Sequence, residues 1–157
     1  MPDGPRRGGA VVIGVGNALR GDDAAGLLAA RAIAAERLPG VAVVESDGDP
    51  AGLMDAWADA EIAVVLDALA PGAEPAGGVR RFDAGAAPLP VRLGGGSTHA
   101  LGVGEAVELA RALGRLPSRL IVYGISARSA DAGAPASAAA ASGAREAAAH
   151  VAAELAG

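Results

Sequence analysis

Three short apolar runs stand out along the chain, each ended by glycine or an acid: "AVVIGV" (10–15), "VAVVES" (41–46) and "EIAVVLDA" (61–68). They are β-branched and too short for helices, which predicts buried strands. Between them, residues 23–37 have helical composition. Asp49-Pro50 gives an N-cap followed by proline at the first helical position, opening a helix over about 50–60. "APGAEPAGG" is a loop, and the strand "VRRFDA" (79–84) follows through a connection too short for a helical crossover, so it is expected to run antiparallel. "GAAPLPVRLGGGS" is a Pro- and Gly-rich linker, expected to be mobile. A helix from His99 or Ala100 to Gly114 comes next, with Ser97 or Thr98 as its cap. "SRLIVYGISA" (118–127) is a strand, and the alanine-rich stretch 137–156 is a last helix. The order βαβαββαβα predicts a single three-layer α/β/α domain over residues 1–157, with a mostly parallel twisted sheet and one antiparallel edge strand. Residues 1–9 are expected to be flexible.

Composition narrows the chemistry. The 157 residues suffice for one domain with a real core. Half of the residues are hydrophobic, yet aromatics make up only 2%, so the helices are expected to pack thinly on Ala, Val and Leu. There is no cysteine, which excludes disulfides, thiolate metal sites and a cysteine nucleophile. All thirteen basic residues are arginine, so P-loop lysine and Schiff-base chemistry are also excluded. A net charge of −5 with scattered arginines gives no nucleic-acid footprint. No apolar run is long enough to cross a membrane, and the N-terminal residues lack a signal-peptide core, so a cytoplasmic protein is expected.

In an open parallel sheet, ligands gather at the carboxyl ends of the strands. Strand one leads through Gly14-Val15-Gly16-Asn17 to Asp22 and Asp23, strand two ends at Asp47-Gly48, and strand three at Asp67. His99, at a helix start, belongs to the same rim. Two or three carboxylates with an imidazole make an oxygen and nitrogen site for a divalent cation. Carboxylates repel phosphate, so the glycine loop makes room for a cation or a peptide backbone. Asp22 and Asp23 also suit a helix N-terminus, and Asp47-Gly48 also suits a plain turn. Asp67 is harder to explain as structural, because it places a charge within a buried run. His150 lies in "EAAAHVAAEL" and fits an ordinary helix position. No Gly-x-Ser-x-Gly elbow surrounds Ser97, Leu19 replaces the third glycine of a dinucleotide fingerprint, and no His-Glu-x-x-His motif occurs.

"GVGNALRGDDAAG" resembles the N-terminal signature of the [NiFe]-hydrogenase maturation endopeptidases. The likeness extends to "ESDG", "VVLDAL" and "STHALG", in order, over residues 10–125. It implies that Asp23, Asp67 and His99 are metal ligands, with Asp23 where many relatives carry glutamate. It implies too that Asp47 and Gly48 belong to a loop for recognition or catalysis, with Asp47 the candidate catalytic group and Gly16 and Asn17 also lining the substrate site. Asp49-Pro50 departs from the usual Gly-Thr-like continuation. "ARSADAGAPASAAAASGA" departs from a C-terminal segment that usually carries an acid and a Leu-Ser-Pro-like helix start.

The activity so implied is a single cleavage that removes the C-terminal extension of a hydrogenase large-subunit precursor. Nickel would be presented by that precursor, and other divalent ions could occupy the site in vitro. The partner is the precursor; no nucleic acid or membrane is expected, and the protein is expected to be a monomer. Two alternatives use the same residues. One is a metal-sensing checkpoint that binds the precursor without cutting it, and the other is a nucleotide- or small-molecule-binding module.

Overall fold

In the computed structural model, residues 9–69, 75–89, 102–128 and 133–156 are described. Five strands form one sheet in the order β2-β1-β3-β5-β4. They are β1 (Ala10–Val15), β2 (Val41–Ser46), β3 (Ile62–Leu69), β4 (Val79–Asp83) and β5 (Arg119–Ser126). β1 pairs in parallel with β2 and β3, and β3 pairs in parallel with β5. β4 runs antiparallel to β5 on the sheet edge, as its short connection requires.

The alternation along each strand feeds two apolar layers. Val11, Ile13 and Val65 face α2 (Pro50–Trp57) and α3 (Val103–Ala112), where Leu53, Trp57 and Val107 complete the packing. Val12, Val64 and Ile121 face α1 (Ala25–Glu36) and α4 (Ala138–Ala156). That second layer is largely alanine on the helix side: Ala25, Ala29 and Ala30 of α1, and Ala140, Ala144 and Ala147 of α4. Small side chains let the helix backbones come close to the sheet. Trp57 is the large exception; it is buried and its Nε1–H donates to the Arg115 carbonyl at 2.8 Å, so its polar edge is satisfied.

Several boundaries differ from the sequence reading. The acids Asp22 and Asp23 lie in a separate 3-10 turn, Gly21–Ala24, and α1 begins only after it. β3 does not stop at Asp67 but continues to Leu69, because residues 67–69 keep pairing with Gly124, Ile125 and Ser126. The 79–84 strand ends at Asp83, whose Oδ1 accepts the Gly85 and Ala86 amides and turns the chain. The fourth helix element begins at Val103 with Gly102 as its cap, rather than near His99. Ser97, Thr98, His99, the linker from Pro90 to Ser97 and residues 1–8 lie outside the described residues. Asp49 does cap α2, accepting the Gly52 amide at 2.8 Å. Among the described residues no helix is long and apolar enough to cross a membrane.

One approach sets the geometry of the site. A Cβ built on Gly26, in the first turn of α1, would run into the carbonyl oxygens of Leu66 and Val15. Glycine is what allows the start of α1 to lie on the ends of β1 and β3. Gly26→Ala should therefore destabilise the fold by about 1–3 kcal/mol, read as a lower urea midpoint at unchanged slope; an unchanged midpoint would show that the helix can step back freely.

Candidate active site at the carboxyl edge of the sheet

Strand register puts Asp67 one step beyond the Gly14–Leu66 pair, level with Val15, which is itself opposite Ser46. On its other side Asp67 pairs with Gly124. Asp67 thus stands within the sheet, on the face shared by Ala63 and Val65, and is only 3% exposed. Its Oδ1 accepts the Ala68 amide at 2.9 Å. Its Oδ2 is buried and has no hydrogen-bond partner among the described residues. A buried acceptor left unmade costs about 1–3 kcal/mol, and more when charged.

Asp23 overlies this strand end, held by the turn that precedes α1. The Asn17 amide donates to its Oδ2 at 3.1 Å, and the Asn17 Oδ1 accepts the Leu19 amide at 2.9 Å. Gly16 has φ +149°, and any side chain there would collide with the Asp23 carbonyl. The space that a side chain at Gly16 would need is therefore taken by the protein's own backbone.

Burial acts on both acids, and Asp67 also feels the charge of Asp23. Burial raises the Asp23 carboxyl above the ordinary aspartate range, against the lowering effects of the Asn17 amide and the Arg20 charge. Burial first, and then the negative charge of Asp23, hold Asp67 well above that range. Two crowded carboxylates, one with a buried unpartnered oxygen, fit a cation as their missing counter-charge. Among the described residues no group of three or more His, Asp or Glu side chains is arranged to hold a metal, so Asp23 and Asp67 form an incomplete set. The third predicted ligand, His99, is outside the described residues.

The remaining predicted residues line the same edge at different distances. Asp47 follows β2 directly, two strands from Asp67, which is roughly 10 Å of sheet. It is exposed, and its Oδ1 accepts the Asp49 amide at 3.1 Å, while the Gly48 amide donates to the Ser46 hydroxyl at 3.0 Å. Gly48 adopts φ +92°. The turn reading of Asp47-Gly48 is thus correct, and the turn leaves the Asp47 carboxylate at the rim.

Asp22 does something that a helix-start acid would not. It is 1% exposed and turned away from Asp23. Its Oδ2 accepts the Arg128 amide at 2.6 Å and the Ser137 hydroxyl at 2.9 Å, and its Oδ1 accepts the Ser137 amide at 2.6 Å. Ser137 in turn accepts the Ala140 amide at 3.1 Å and caps α4. Nothing in the local sequence around Asp22 points to partners so distant; only Ser137, standing before an alanine run, carries a readable capping signal.

A family model described as HycI, hydrogenase maturation protease, matches residues 27–154. The chain belongs to the hydrogenase maturation proteases. It is therefore a hydrolase, an endopeptidase of hydrogenase maturation. The matched span takes in Asp47, Asp67 and His99, whereas the glycine loop and Asp23 precede it. The fold of this maturation protease is similar to that of the hydrogenase maturating endopeptidase HybD from E. coli, with TM-score 0.75 and 21% identity over 94% of this chain and 91% of that one. It is likewise similar to the [NiFe] hydrogenase maturation protease HycI from Thermococcus kodakarensis, with TM-score 0.69 and 25% identity over 95% and 93% of the two chains. HybD from the same organism gives TM-score 0.68 and 24% identity over 95% and 99%. No match was found among curated protein sequences.

The raised Asp67 carboxyl has a consequence for stability. Below the ordinary aspartate range, folded and unfolded chains both carry its proton. As pH rises through that range the unfolded chain ionises first, so stability falls by about 1.4 kcal/mol per pH unit until the folded group ionises too. In urea denaturation without metal, the Asp67 contribution to stability should fall as pH rises from the ordinary aspartate range. Asp67→Asn should flatten that decline and be the more stable protein at neutral pH. Superimposable curves would remove Asp67 as the source.

Proposed function

We propose that this protease removes the C-terminal extension from the precursor of a [NiFe]-hydrogenase large subunit, and that Asp23 and Asp67, together with His99, read the nickel already seated in that precursor. The observation that carries the reading is the buried, unpartnered Oδ2 of Asp67 beneath the Asp23 carboxylate. In a maturation protease, an arrangement lacking only a positive charge is well suited to a metal brought by the substrate. When nickel is present it supplies that charge at the rim.

The chain's own residues do the rest. Asn17 orients Asp23 through its amide, and the Ala68 amide orients Asp67 through Oδ1, so each carboxylate keeps one oxygen fixed. Gly16, Asn17, Asp47 and Gly48 offer backbone and polar groups to the precursor main chain along the same edge. Asp47, exposed beyond β2, is the carboxylate placed to act on a peptide lying across the strand ends, either orienting water or accepting its proton.

Mass spectrometry of a purified precursor incubated with the protease tests the proposal. The nickel-loaded precursor should lose its extension, and the nickel-free one should stay intact. Asp23→Asn and Asp67→Asn should each slow cleavage by about a hundredfold or more while remaining folded, whereas Asp23→Glu should stay active because it keeps the charge. Cleavage that ignores nickel would remove the sensing role, and normal cleavage with both acids replaced would overturn the site.

A further inference from the structure

The sequence places two acids side by side, and the structure sends them in opposite directions. Asp23 reaches the site, while Asp22 enters the protein and gathers three donors from residues 128 and 137. Two backbone bonds reinforce the same junction: the Gly21 amide donates to the Ala134 carbonyl at 2.9 Å, and the Gly133 amide to the Leu19 carbonyl at 2.7 Å. The loop after β1 and the segment leading into α4 are thereby fastened together on both sides of Arg20. This is the C-terminal segment whose sequence departs from the family pattern.

We propose that Asp22 is a positioning residue, fixing the turn that presents Asp23 to Asp67. The proposal rests on the reading of Asp23 as a metal-facing group. Three considerations support it. Asp22 and Asp23 share a four-residue 3-10 turn, so a displacement of one backbone unit moves the other. The turn is held from both sides: the Asn17 amide donates to the Asp23 carboxylate, and the Asp22 clamp fixes the other end to the segment entering α4. Finally, the donor pattern demands a carboxylate. Among the described residues three N–H and O–H donors converge on two oxygens, and an asparagine would set its own NH2 against one of them.

The test uses the full chain with Asp23 and Asp67 untouched. In Asp22→Asn, exchange of the Asn17 amide proton, which reports its bond to Asp23, should accelerate about tenfold by NMR. Nickel chloride alone, titrated by calorimetry, should bind about tenfold more weakly. Ser137→Ala, which removes one of the three donors and spares Asp22, should give the same changes in smaller measure, about two- to threefold. It is the deciding variant if Asp22→Asn does not fold. The proposal is overturned if the Arg128 and Ser137 amides lose protection while Asn17 exchange stays as in the parent, since the clamp would then hold only the C-terminal segment. Should the parent itself fail to bind nickel, the metal reading fails, and the Asn17 measurement still decides the role of Asp22.

Discussion

The start of α1 rests directly on the carbonyl oxygens that end β1 and β3, and the site exists because of that contact. Gly26 permits it, and Gly16 lets the preceding loop fold beneath the Asp23 carbonyl. With any larger residue at either position the turn would stand off the sheet, and Asp23 would no longer lie over Asp67. The glycines that first suggest a phosphate loop are therefore used for helix-to-strand packing. Their space is already filled by main chain.

This approach creates an electrostatic problem that the fold contains but does not resolve. Burial raises both carboxyls above their ordinary range, the negative charge of Asp23 raises Asp67 further, and one Asp67 oxygen stays unpaired among the described residues. A domain of this size has only a few kcal/mol of net stability to lose. The strain is confined to the strand ends because the neighbouring elements are well satisfied: Asp49 and Ser137 cap their helices, and Trp57 finds its acceptor. Arg81, Tyr123 and Glu154 tie β4, β5 and α4 together. Such a division is expected where a local cost serves a function.

Much of this was legible in the residues. β1 and β2 were readable to the residue, since each is a short β-branched run with clear stops. The antiparallel β4 followed from the length of its connection alone. Asp67 stood out because a charge within a buried run has no cheap structural explanation, and the structure does bury it with one oxygen unpartnered among the described residues. The helix after the linker was placed too early, since Ser97 and Thr98 carry the side chains of caps, whereas the helix opens at Gly102, which has none. Asp22 was unreadable for a different reason. Its partners lie 106 and 115 residues away, so no local pattern could separate it from Asp23.

Under the function proposed above, the pairing of these two acids also bears on how such a site would behave. A protease that meets its metal inside a substrate would have to release that metal after the cut, so its own ligand set would have to be weak. Two carboxylates without thiolates, one of them reluctant to ionise, meet that requirement. A weak set nevertheless needs exact placement, because little binding energy is available to pull misplaced ligands together. That placement has to come from the scaffold beforehand. The buried carboxylate of Asp22, saturated with donors from the far end of the chain, is the kind of anchor that can supply it without adding to the affinity of the site.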